Sequence, residues 1–145
     1  MRGARAKQRM GAGTIARITV FDDYPDFLDL MRDMLGDQAG HDVTCFDGSG
    51  TTLEDIAASE PDLLIVDLRL ARQDMSGDDL LTQARADWRL IEKPILVCSS
   101  DVRQLEARRA EFRSLGKVWV LPKPFAADEL QALVANLVAR EVRAS

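Results

Sequence analysis

The stretch Leu63-Leu64-Ile65-Val66-Asp67 (LLIVD, 63–67) decides the fold. Four consecutive aliphatic side chains leave no polar face, so an extended segment of this sequence must be covered on both sides, as in a parallel sheet sandwiched by helices. The acid closing the run stands at the carboxyl end of that strand. A carboxylate at the end of a buried strand requires a partner for its charge, which makes Asp67 the first candidate functional residue.

Working outward, strand-like and helix-like segments alternate. Upstream, residues 17–22 (RITVFD) alternate and are rich in β-branched side chains, and residues 25–35 carry Phe27, Leu28, Leu30, Met31, Met34 and Leu35 at helical spacing, with Gly36 as the expected stop. Residues 41–46 read as a second strand, and Thr51 with Glu54 has capping-box spacing for a helix that ends before Pro61. Downstream, a helix follows Ser76 and Gly77, and Pro94 opens a second solidly apolar strand, 95–98. Asp101 and Gln104 resemble a capping box for a helix to about Phe112, broken by Gly116. A fifth strand at 118–121 and a last helix at about 126–140 complete the pattern. Five strands, each followed by a helix, predict an α/β fold: a doubly wound, five-stranded parallel sheet sandwiched by five helices. Ligands in such sheets bind beyond the carboxyl ends of the strands, where strand order reverses.

The strand ends hold the chemistry. The first strand ends in Asp22 and Asp23, the third in Asp67 and the fourth in Ser99 and Ser100, while the fifth leads to Lys123 between Pro122 and Pro124. Three crowded carboxylates repel one another and are best tolerated around a divalent cation; an all-oxygen donor set suits magnesium. Beside that metal, Lys123 and the Ser99 hydroxyl would neutralise and hydrogen-bond a phosphoryl group that Asp67 attacks.

Length and charge restrict the alternatives. The chain has 145 residues with 46% hydrophobic and 30% charged content, enough for one core and too much for a disordered chain. Residues 1–17 hold five basic residues and no acid, so the remaining 14 basic and 24 acidic residues leave the rest at −10, a balance that disfavours nucleic acid as the main partner. Residues 1–16 are expected to be a basic, disordered arm and residues 17–141 the folded domain. No apolar run reaches the ~20 residues of a bilayer span and no signal-peptide pattern opens the chain, so the expected location is the cytoplasm. Cys45 and Cys98 have no metal-ligand or redox spacing and are read as small core residues. His41, the single histidine, is expected at the surface.

Together, VFDDYP, LLIVD, PILVCSS and LPKPF resemble the response-regulator receiver domains of two-component signalling, over about residues 17–140. The resemblance implies the flavodoxin-like receiver fold, with Asp67 as phosphoacceptor, Asp23 binding Mg²⁺ directly and Asp22 mainly through water. It also implies the backbone carbonyl of Arg69 as a metal ligand, Ser99 as switch hydroxyl and Lys123 as the phosphate-pairing lysine before a cis proline, Pro124. The implied partners are a sensor histidine kinase or phosphotransfer protein and a downstream protein target, with a homodimer possible and neither nucleic acid nor membrane involved. Such a domain is a switch rather than a turnover enzyme. With no effector segment in view, output is expected through protein contacts around the fourth helix, fifth strand and last helix.

The sequence departs from that family in three places. Val120 stands where the switch aromatic is usual, and Trp119 beside it alternates to the opposite face, where a core role is expected. The loop from Asp67 to Gly77 is two residues longer than usual, with Ala71 where a Met-Pro pair normally ends. Ser100 follows the switch hydroxyl in place of Ala or Gly. Arg69 and Asp101 flank the mouth of the site and are expected to pair across it, lengthening the life of a phospho-form. Two other enzyme or binding classes fit poorly: a phosphatase forming an aspartyl-phosphate needs an acid where Arg69 stands, and DDYPDF is too acidic to cradle a nucleotide or flavin phosphate without metal. The competing reading is a degenerate receiver that binds partners without being phosphorylated.

Overall fold

A computed structural model of the chain describes residues 9–10, 13–68 and 75–144. The five sheet strands are β1 (Arg17–Phe21), β2 (Asp42–Phe46), β3 (Leu63–Asp67), β4 (Ile95–Ser99) and β5 (Val118–Pro122). All pair in parallel, in the order β2-β1-β3-β4-β5. Strand order therefore reverses between β1 and β3, and the register brings their ends level: Phe21 lies beside Val66, so Asp22 comes level with Asp67. Asp67 lies beside Cys98 and Ser99 beside Pro122, so Ser99 and Lys123 each fall one residue further on.

Period-two alternation divides the side chains into two cores. Ile18, Val20, Leu63, Ile65, Leu96, Cys98 and Leu121 face α1 (Pro25–Met31) and α6 (Ala127–Ala144). Phe21, Leu64, Val66, Ile95 and Val97 face the other layer: α2 (Leu53–Ala58), α3 (Gly77–Ala84), α4 (Val102–Ala107) and α5 (Arg109–Ser114). The four aliphatic side chains of β3 are each no more than 1% exposed. At roughly 1.5–3 kcal/mol for each fully buried aliphatic side chain, this strand anchors both layers.

The helices differ from the sequence expectation in ways with local causes. Helix α1 does not stop at Gly36: it continues as a π-helical stretch, Arg32–Gln38, and ends at Gly40, whose φ of +82° suits glycine. The α2 capping box is Thr52 with Asp55, one residue beyond the expected pair, because Thr51 is buried and Glu54 turns outward to Arg89. Where one helix was expected before Gly116, Arg108 interrupts the turn with φ −103° and ψ 11°, giving α4 and α5 and making six helices among the described residues. Asp101 caps α4 by accepting from the Gln104 N–H, but Gln104 Oε1 is buried with no hydrogen-bond partner, so the expected reciprocal box is half formed.

His41, expected at the surface, is placed differently. It is half-buried, and its Nδ1 accepts a hydrogen bond from the Ala16 N–H at 3.1 Å, because the ring folds over the start of β1. Most of the expected basic arm lies outside the described residues; Arg9–Met10 pairs antiparallel with Gly13–Thr14, and Gly13–Thr14 lies against α6.

Candidate functional site

The β1–α1 turn supplies the acids. Asp22 is 1% exposed; its N–H donates to the Phe46 carbonyl, which fixes the backbone, and its Oδ1 accepts from the Tyr24 N–H at 2.9 Å, which orients the carboxylate. Pro25 opens α1 immediately afterwards, with its missing N–H harmless in the first turn. Asp67 ends β3 on the adjacent strand and is also buried. One carboxylate oxygen from each of Asp22, Asp23 and Asp67 lies within 4.8 Å of the others. Hard oxygen donors this close fit a single hard divalent cation, and without one their charges oppose each other.

Lys123 closes the pocket from the β5 side. Its Nζ donates to Asp22 Oδ2 at 2.9 Å and lies 3.7 Å from Asp67 Oδ2. The Lys123 N–H donates to the Ser99 carbonyl at 2.9 Å, which ties the loop to the end of β4, and the Lys123–Pro124 peptide is cis. Ser99 is fully buried; its Oγ accepts from the Asp101 N–H at 3.1 Å and keeps its own proton to donate. Burial pushes the Asp22 carboxyl above its ordinary range, while the Lys123 hydrogen bond and the Tyr24 N–H pull it back. Burial also pushes the Cys98 thiol up to about 12, so this neighbour of the site is a packing residue rather than a nucleophile.

The structure thus brings Asp22, Asp23, Asp67 and Lys123 together and sets Ser99 at the end of the neighbouring strand. Arg69, expected as a carbonyl ligand and as the ion-pair partner of Asp101, lies outside the described residues, as does most of the long loop. The loop's two ends are anchored: Leu68 and Met75 are buried in the α2–α5 core. Val120 packs against that same core and Trp119 against the α1–α6 core, the alternation expected of them.

Three contacts escaped the sequence reading. The Lys123 ammonium sits 3.8 Å from the centre of the Phe27 ring. Gly77 lies so near the end of β3 that a Cβ there would come within 2.1 Å of the Asp67 carbonyl oxygen. Arg108 pairs with Asp78 at 2.6 Å, joining the first turn of α3 to the break between α4 and α5. Phe27, Asp78 and Arg108 read as ordinary core, cap or surface by spacing alone; only the Ser76–Gly77 pair at the start of α3 offered a signal.

A family profile described as "Response regulator receiver domain" matches residues 18–135. The chain belongs to this receiver family. It is similar to "Sensor histidine kinase TmoS" of Ectopseudomonas mendocina, 32% identical over 87% of this chain and 12% of that protein. It is also similar to "DNA-binding transcriptional regulator NtrC" of Escherichia coli strain K12, 33% identical over 69% of this chain and 20% of that protein. The receiver thus spans a fifth or less of these two relatives. Among solved structures, a CheY-like receiver domain protein from Methanospirillum hungatei JF-1 superposes with a TM-score of 0.76 at 20% identity, over 90% of this chain and 99% of that one. A sensor protein from Polaromonas sp. JS666 gives 0.70 at 29% identity, over 86% and 97%.

Proposed function

We propose that this receiver accepts a phosphoryl group on Asp67 from a phosphohistidine of a sensor kinase or phosphotransfer protein, and that the modified domain changes its affinity for a protein target. The observation that carries the reading is the convergence of Asp22, Asp23, Asp67 and Lys123 at the strand-order reversal, with three acids in reach of one cation and an ammonium between two of them. Asp22, Asp23 and Asp67 would hold Mg²⁺, with the Arg69 carbonyl as a further proposed ligand; the ion supplies charge neutralisation at the phosphoryl oxygens.

In the transfer, an Asp67 carboxylate oxygen attacks phosphorus as the P–N bond to the donor imidazole breaks, the electron pair leaving on nitrogen. Lys123 turns from Asp22 toward the incoming phosphoryl oxygens, and Ser99 donates its hydroxyl proton as a hydrogen bond to one of them. The product is an acyl phosphate on Asp67, stoichiometric and without turnover of its own.

A groove of about 390 Å³ between α5 and the β5 edge, lined by Arg109, Phe112, Arg113, Val118, Trp119 and Val120, supports output through protein contacts. Valine at 120 means that this surface must respond without a swinging aromatic ring. Phosphoramidate, which carries a P–N bond, tests the transfer: with Mg²⁺ the wild type should gain one phosphoryl mass, and chelation of the metal or Asp67→Asn should prevent it. No gain from either phosphoramidate or a phosphorylated histidine phosphotransfer protein would favour the partner-binding reading.

A further inference from the structure

We propose that Phe27 is a positioning residue for phosphoryl uptake: the face of its ring holds the Lys123 ammonium in the pocket whichever carboxylate that amine is paired with. The proposal rests on the reading of Asp67 as phosphoacceptor, and deepens it.

Three contacts surround the Lys123 nitrogen: Asp22 Oδ2 at 2.9 Å, Asp67 Oδ2 at 3.7 Å, and the Phe27 ring centre at 3.8 Å. The two carboxylates are shared partners. Any cation bound between them draws on the same oxygens, and a phosphoryl group on Asp67 replaces one of them outright. The ring competes for neither metal nor phosphate, so it is the one contact of the three that persists through the reaction. It lies well inside the ~6 Å range of cation–π attraction, and the Lys123 side chain is only 20% exposed, a setting in which that attraction is poorly screened.

The ring is itself held in place. Phe27 is buried in the first turn of α1, four residues after Asp23, so the segment that supplies the acids also supplies the ring. It meets Phe125 edge-to-face at 6.1 Å and 79°, and Phe125 stands two residues after Lys123. The same phenyl group therefore touches both the amine and the loop that carries it. A ring serving only as filler between α1 and that loop would be replaceable by any apolar side chain of similar volume.

Two readouts separate these roles. In nuclear magnetic resonance spectra, ring current should move the Lys123 Cε protons upfield in the wild type, and they should stay there when Mg²⁺ and acetyl phosphate are added; in Phe27→Leu they should return to ordinary lysine values. By intact mass, Phe27→Leu should take up phosphoryl from acetyl phosphate about tenfold more slowly, and Phe27→Tyr within about twofold of wild type, as the loss and retention of a partly desolvated cation–π contact predict. In a Lys123→Met background Phe27→Leu should cause no further slowing. Should Phe27→Leu fail to fold, Phe27→Met takes its place in both measurements. Uptake by the Leu variant at the wild-type rate, equal slowing with and without Lys123, or unshifted Lys123 protons in the wild type would each overturn the proposal. A wild type that takes up no phosphoryl group would instead refute the role of Asp67, and the proton shifts would then decide the Phe27–Lys123 contact by themselves.

Discussion

Lys123 is held by what it neutralises. Its ammonium offsets part of the charge of Asp22 and Asp67, and by occupying Asp22 Oδ2 it competes with any cation bound there. Removing it should have opposite effects on two measurements. Lys123→Ala should bind Mg²⁺ about fivefold more tightly in titration calorimetry, the residue of a ~1 kcal/mol repulsion after solvent screening. It should take up phosphoryl more slowly, having lost a donor to the transferring group. Weaker Mg²⁺ binding in that variant would mean that the lysine organises the acids rather than competing for them. Asp67 was legible in the sequence as a carboxylate closing a buried strand, whereas Asp22, Asp23, Ser99 and Lys123 each read equally well as a turn, cap or loop residue and stood out only together, at the ends of neighbouring strands. Phe27 was not legible: an aromatic at helical spacing reads as core, and only the folded chain shows that one of its faces meets a charge.

At the scale of elements, the start of α3 lies hard against the end of β3. A side chain at position 77 would meet backbone atoms of Asp67 and Leu68, which cannot rotate away. Gly77→Ala should therefore displace the start of α3, cost about 3 kcal/mol in urea unfolding and slow phosphoryl uptake; a stability equal to wild type would show that the helix yields without cost. On the opposite pole, the Arg85 guanidinium donates to the carbonyls of Leu90, Leu115 and Lys117, at 3.0, 2.7 and 3.0 Å, and so clamps the connection before β4 to the turn before β5. Arg85→Ala leaves three acceptors to find water and should cost about 2–3 kcal/mol by the same measurement, with uptake on Asp67 unchanged. Element types were readable from periodicity, whereas their ends were not. Thr51 and Thr52 both satisfy the capping pattern, and burial of the first decided between them. Gly36 is tolerated inside a helix whose real stop, Gly40, needs a positive φ.

For the molecule as a whole, the alternation of strands and helices around LLIVD was enough to specify the parallel sheet and where its ligand crevice falls, because a strand with no polar face has few ways to be covered. Long-range polar closures were beyond the sequence, as His41 illustrates. Burial holds its ring below the ordinary value of 6.5, and the neutral Nδ1 accepts the Ala16 N–H. The folded chain therefore takes up that proton at lower pH than the unfolded one. The contribution of His41 to stability should be level above about pH 7, fall as pH drops below 6.5, and level off beneath the depressed folded value. His41→Asn, which keeps an acceptor but does not titrate, should flatten that slope in denaturant unfolding. An unchanged slope would assign it to other groups.

Every role assigned to the site depends on where the phosphoryl group goes. After incubation with acetyl phosphate and Mg²⁺, borohydride reduction converts an aspartyl phosphate to homoserine, which peptide mass mapping locates. The expected result is homoserine at position 67 in the wild type and none in Asp67→Asn. Homoserine at another aspartate, or none anywhere after Mg²⁺-supported treatment, would contradict it.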